Sequence, residues 1–217
     1  SNASPKAAMM TISLSDAGKR FNRDWIYRHF TYQFVSGKAY AITGPNGSGK
    51  STLLQALSGS MMINEGTIDW TISGKKQDPE TIFSFVSICA PYLDVIEEMT
   101  LTEFLDFHQS FKPFLPGLTP QKIIELIGLE KAVNKQIRNY SSGMKQRVKL
   151  AQCILSDSGI VLLDEPCTNL DAPGIALYLS LIEKYGKDRL IVVSSNDETE
   201  YRFCTEIINI SDYKLKG

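Results

Sequence analysis

The sequence predicts an α/β fold: a mostly parallel sheet, an N-terminal antiparallel β portion and an inserted α-helical subdomain. Three observations carry this reading. Strand-like and helix-like segments alternate along the chain. Ile160-Val161-Leu162-Leu163 and Leu190-Ile191-Val192-Val193 are apolar throughout, the pattern of strands covered on both faces of a parallel sheet. A stretch from about residue 93 to 142 shows helical periodicity instead.

In chain order, Ile12 and Leu14 alternate with Thr11, Ser13 and Ser15 as in a half-buried strand, and Tyr27 to Val35 predicts a second strand before the Ser36-Gly37 turn. Ala39-Tyr40-Ala41-Ile42 is a short strand running into a glycine-rich loop, and Ser51 to Leu57 has helical spacing ending near Ser58-Gly59. Ile68, Trp70 and Ile72 mark another strand, residues 74–78 a polar turn, and the apolar run Phe83 to Ala90 a further strand. Helical periodicity follows in Leu101 to Phe111 and Pro120 to Ile127, then in Ser142 to Leu155 and Pro173 to Tyr185.

Size and composition bound the function. The 217 residues, 43% apolar and 22% charged, suit one sizeable core, and we expect a single domain over 1–217 with residues 93–142 as its helical insertion. A formal net charge of −1 gives no attraction for a polyanion, so no nucleic acid is expected as partner. No run reaches the roughly 18 to 20 apolar residues that span a bilayer. The start Ser1-Asn2-Ala3 resembles a tag remnant rather than a targeting signal. Cys89, Cys153, Cys167 and Cys204 are widely spaced without a CxxC pair, which predicts reduced thiols in a cytoplasmic protein.

Chemistry concentrates in Gly44-Pro45-Asn46-Gly47-Ser48-Gly49-Lys50-Ser51-Thr52, the Walker A pattern between a strand and a helix. Glycines let successive N–H groups turn toward an anion, and the following helix adds its positive N-terminal end. Lys50 would reach the terminal phosphates of ATP, and Ser51 would offer a hydroxyl to Mg²⁺. Asp164 and Glu165 end the strand 160–163, at the edge of a parallel sheet where ligands sit. Asp164 would hold Mg²⁺ through water, and Glu165 would polarise the water attacking the γ-phosphate. Alone, such a pair would read as an acidic turn capping the next helix.

Walker motifs do not choose among kinases, GTPases and motors. Tyr140-Ser141-Ser142-Gly143-Met144-Lys145-Gln146-Arg147 does: upstream of the acidic strand, it resembles the LSGGQ signature of ATP-binding cassette (ABC) ATPases. The resemblance covers nearly the whole chain and implies a P-loop NTPase, RecA-like core. It implies that Ser141 and Gly143 close over the γ-phosphate held by a second ABC ATPase subunit, in a homo- or heterodimer. Asn169-Leu170-Asp171 resembles the D-loop, and Leu101-Thr102-Glu103-Phe104-Leu105 the opening of the helical subdomain. Phe21 stands where the family places an aromatic that stacks on adenine, with Tyr27 as the alternative and a core role open to either.

Two positions depart from the family. The switch histidine position holds Asn196, within Ser194-Ser195-Asn196-Asp197, and the only histidines, His29 and His108, precede the acidic strand. The Q-loop glutamine position, after the run ending at Ala90, holds Tyr92, and Gln77 lies before that run. Asparagine donates a hydrogen bond without positive charge, so loss of the histidine could cost roughly 3 to 4 kcal/mol, about a hundred- to a thousandfold in rate. With Lys50, Ser51, Asp164 and Glu165 present, slow hydrolysis is expected.

The resemblance therefore implies an ATPase, peripheral on the inner face of the membrane, that drives a separate integral membrane permease. The alternative is a nucleotide-gated switch with very slow turnover, the degenerate half of an ABC pair. A third reading is a soluble ABC protein of translation or DNA repair, and the chain has neither the tandem second cassette nor the long coiled-coil insertion that would favour it.

Overall fold

The computed structural model describes residues 8–214, so the tag-like Ser1–Ala3 lies outside the described residues. The first strands are β1 (Met10–Phe21), β2 (Asp24–Val35) and β3 (Ala39–Thr43), followed by helix α1 (Lys50–Leu57) and strands β4 (Glu65–Ile72), β5 (Lys75–Gln77) and β6 (Val86–Cys89). Next come α2 (Leu101–Gln109), α3 (Pro120–Leu126), α4 (Ser142–Ile154), β7 (Ile160–Asp164) and α5 (Ala172–Tyr185). The chain then forms β8 (Leu190–Ser194), the short helix α6 (Glu198–Tyr201) and β9 (Glu206–Asn209).

Two sheets result. The first, in the order β2-β1-β4-β5, is antiparallel wherever its strands pair, and the second, in the order β6-β7-β8-β3-β9, pairs β7 with β8, β8 with β3 and β3 with β9 in parallel. Every residue of β7 and β8 is buried, as the unbroken apolar runs require.

The chain divides into two compact units. Of the described residues, one unit comprises 8–88, Ser158–Asp164 and 188–214. It holds both sheets and α1, around a core in which Met10, Ile12 and Leu14 of β1 join Tyr40 and Ile42 of β3, Leu53 and Leu57 of α1, and Leu162 and Val192. The other unit, Cys89–Asp157 with Glu165–Lys187, is helical: α2 packs on α3 and α4, and α4 on α5. Its entry is set by a capping box, in which Thr100 Oγ1 accepts the Glu103 N–H and Glu103 accepts the Thr100 N–H.

Some boundaries differ from the sequence reading. Phe83 to Phe85 do not join the predicted strand; they close a 3-10 helix over Pro79–Phe85, leaving Phe83 69% exposed, and only Val86–Cys89 pair. Pro79 at the helix start fixes its backbone for a turn and removes a donor that a sheet needs. The expected turn at 74–78 contains β5, whose three residues pair with Trp70, Thr71 and Ile72. β1 runs on to Phe21 through register shifts between Leu14 and Arg20, which break the alternation that marks a strand.

His108 shows how the helical unit titrates. It is 6% exposed on α2, with Nε2 2.8 Å from Ser156 Oγ and its ring stacked on Phe114. Burial, with a smaller push from Lys112, holds its pKa down at about 4, so it stays neutral when folded. The unfolded chain takes up this proton near pH 6.5, so stability is full above that pH and falls as pH drops toward 4. We expect the wild type to lose on the order of 3 kcal/mol more than His108→Gln over that window, measured from urea midpoints. Parallel pH profiles for the two proteins would disprove the assignment.

Candidate functional site

β3 ends where the glycine-rich loop begins, and the loop feeds α1. Gly49 requires its residue type: its φ is +100°, and a Cβ there would lie 2.0 Å from Ile26 Cγ2. Lys50 is only 6% exposed, and its ammonium folds back over the loop, donating to the Gly44 carbonyl at 2.5 Å and the Pro45 carbonyl at 3.1 Å. Pro45, Asn46 and Gly47 are exposed, while the buried Ser48 hydroxyl has no partner. Thr52 is half-buried on the first turn of α1.

Ser51 and Asp164, 113 residues apart in sequence, meet: Ser51 Oγ donates to Asp164 Oδ2 at 2.6 Å. Asp164 is 3% exposed at the last position of β7. A hydroxyl and a carboxylate in contact form a hard oxygen pair that fits Mg²⁺, which keeps several waters and needs only one or two protein oxygens. No cluster of three His, Cys, Asp or Glu side chains that could cage a metal occurs among the described residues.

Asn196 joins the loop in a way the sequence did not suggest. Its Oδ1 accepts the Gly44 N–H at 3.1 Å, across 152 residues. The two adenine candidates separate. Tyr27 is fully buried, edge-on to Phe30, and burial raises its pKa, so it is a core residue. Phe21 ends β1 46% exposed, with Lys19 Nζ 5.1 Å from its ring centre. The exposed edge of this hairpin also carries Trp25, flanked by the Arg28 guanidinium at 4.2 Å and that of Arg20 at 5.6 Å. The sequence reading missed this cluster, although an aromatic among four basic residues over 19–28 was its visible signal.

In the helical unit, Ser141 caps α4, its Oγ accepting the Met144 N–H at 3.2 Å. Asp171 caps α5 through the Gly174 N–H at 2.9 Å. Gly143 lies so close to the chain that a Cβ would sit 3.0 Å from the Asn169 carbonyl oxygen. Ser141, Gly143, Arg147, Asn169 and Asp171 line one cleft of about 710 Å³. Glu165 is exposed and held at φ +47°, a left-handed conformation unfavourable for a side chain with a Cβ. Beside it, the buried Gln146 donates to the Pro166 carbonyl at 2.8 Å and fixes the turn. Tyr92 is half exposed, Gln77 lies in β5, and His29 pairs with Asp16 on the first sheet at 2.7 Å.

Comparison with known proteins shows the family. A family model described as ABC transporter matches residues 27–168. The ABC transporter ATP-binding protein YhcH of Bacillus subtilis is 30% identical over 213 residues, 94% of this chain and 68% of that protein. YybJ of the same organism, also an ABC transporter ATP-binding protein, is 27% identical over 208 residues, 94% of each chain. A dimeric, post-hydrolysis ATP-binding cassette bound to ADP and Pi superposes with a TM-score of 0.77 at 22% identity, over 95% of this chain and 99% of that one. At that identity it shows the shared P-loop fold. With the family model spanning most of its length, this chain belongs to the ABC transporter ATP-binding family.

Proposed function

We propose that this chain binds and hydrolyses MgATP at a dimer interface to drive a separate membrane permease, as a single ABC ATPase domain over 1–217 with residues 93–142 as its helical subdomain. The observation that carries the proposal is the contact of Ser51 with Asp164 beneath a loop whose lysine already curls over it. The loop amides from Asn46 to Thr52 and the Lys50 ammonium would hold the phosphates, and Ser51 and Asp164 would hold Mg²⁺. The metal would neutralise charge on the phosphate oxygens. Glu165, next in the chain, would orient and deprotonate the attacking water. Ser141 and Gly143, with the α4 N-terminus, would face a nucleotide held by a second subunit, and Asp171 would fix the turn beside them. Phe21, the exposed candidate, would lie on the adenine.

Membrane coupling is part of the same proposal. The permease would be a separate partner, with this chain at its cytoplasmic side; no helix among the described residues is long and apolar enough to cross a bilayer. A second reading, a nucleotide-gated switch with very slow turnover, is favoured by Asn196, whose oxygen engages the loop where a charged donor would serve hydrolysis.

Phosphate release from MgATP by the wild type should fall about 10²- to 10⁴-fold in Glu165→Gln, with binding retained. Equal rates in the two proteins would favour the switch. Calorimetry should show Lys50→Ala binding MgATP about 10- to 100-fold more weakly; unchanged uptake would remove the loop from the argument. Gly143→Val should leave MgATP binding in place while abolishing any ATP-dependent dimer in sedimentation, and a persistent dimer would count against the signature assignment.

A further inference from the structure

The connection from β8 to α6, residues 195–197, is tied down on both sides. Ser195 is fully buried, its N–H donates to the Ile42 carbonyl at 3.0 Å, and its hydroxyl donates to the carboxylate of Glu200 while accepting the Asp197 N–H at 2.9 Å. Glu200 is 6% exposed, and its own N–H returns to the Asp197 carbonyl. A buried carboxylate is costly unless it is hydrogen-bonded, and the Ser195 hydroxyl supplies such a bond, tying Glu200 to this segment. What it holds is the loop bearing Asn196, which is exposed except for the bond from the Gly44 N–H to its Oδ1. An amide N–H can be met only by an acceptor, so the carboxamide must present oxygen to Gly44 and turn Nδ2 away.

We infer that Asn196 is a latch on the phosphate-binding loop, and that Glu200, acting through Ser195, is the positioning residue that keeps the latch in register. The latch takes up the first amide of the loop and fixes Gly44, whose carbonyl is also the nearest acceptor of the Lys50 ammonium. It thereby pre-shapes the loop, so that less ordering is needed when an anion arrives. A protonated histidine at position 196 could not accept this bond; asparagine trades a charged donor for an acceptor. The bearing on catalysis rests on the ATP-binding reading above, but the latch is made by this chain's own residues alone.

The test is therefore made on the full chain without ligand, by NMR hydrogen exchange at the Gly44 amide, with Leu162 and Val192 as core references. Asn196→Ala, an exposed substitution, should speed Gly44 exchange about two- to tenfold, the value of one hydrogen bond, and leave the references unchanged. Asn196→Asp, which keeps an acceptor, should preserve the protection. Glu200→Ala should loosen Gly44 selectively, and Glu200→Gln, which keeps an acceptor for Ser195, should restore most of it. Gly44 exchange unchanged in Asn196→Ala overturns the latch, and equal acceleration at all three amides in Glu200→Ala overturns the positioning role. With MgATP, Asn196→Ala should raise KM more than it lowers kcat; a fall in kcat alone with Gly44 still protected would return Asn196 to the role of a phosphate donor. Absence of any MgATP binding by the wild type would sink the ATPase reading and leave the exchange result standing.

Discussion

The contact between Ser51 and Asp164 is the constraint around which the unit holding the sheets is organised. It joins the first turn of α1 to the end of β7, and it exists because the parallel strands end in step: Asp164 pairs with Ser194, and Ser194 with Ile42. Three strands therefore release their following segments at one edge of the sheet. The loop of Gly44 leaves β3, the acidic pair leaves β7, and Asn196 leaves β8. Parallel pairing with covered faces places ligand chemistry at this edge in open α/β sheets generally. Here it brings residues more than a hundred positions apart within hydrogen-bonding distance.

Burial makes that edge rigid. β7 and β8 are buried along their whole length, and α1 packs against both, so neither strand can slide without exposing Leu162 or Val192. Loop geometry is set on top of this by positions that only glycine fills comfortably, Gly49 against Ile26 above all. The strain at Glu165, a non-glycine residue at φ +47°, is tolerated because the turn that follows is tied down by Gln146 at the Pro166 carbonyl.

The helical unit uses a different device. Ser141 and Asp171 each accept one free amide at the start of a long helix, and both border the same cleft. A capping side chain that accepts one amide leaves its neighbours directed outward, where they suit an anion. Gly143 allows the close approach to Asn169 that brings these two helix starts together.

The sequence by itself located the glycine-rich loop between strand and helix, the acidic pair at a strand end, the serine-capped helix and the buried strands, because each is a local pattern whose meaning lies in spacing: glycines ahead of a lysine, carboxylates at the end of an apolar run, a serine three residues before the amide it caps. It misplaced Phe83 to Phe85, since an apolar run reads alike as a strand or as a 3-10 turn, and it did not show β9, a short strand in which only Ile208 is buried. Tertiary structure alone decided that Tyr27 is core while Phe21 is exposed, and that Asn196 offers its oxygen to Gly44. Those outcomes depend on which side chains the sheet order brings together. No spacing along the chain encodes them, because strand pairing joins residues by register rather than by proximity in sequence.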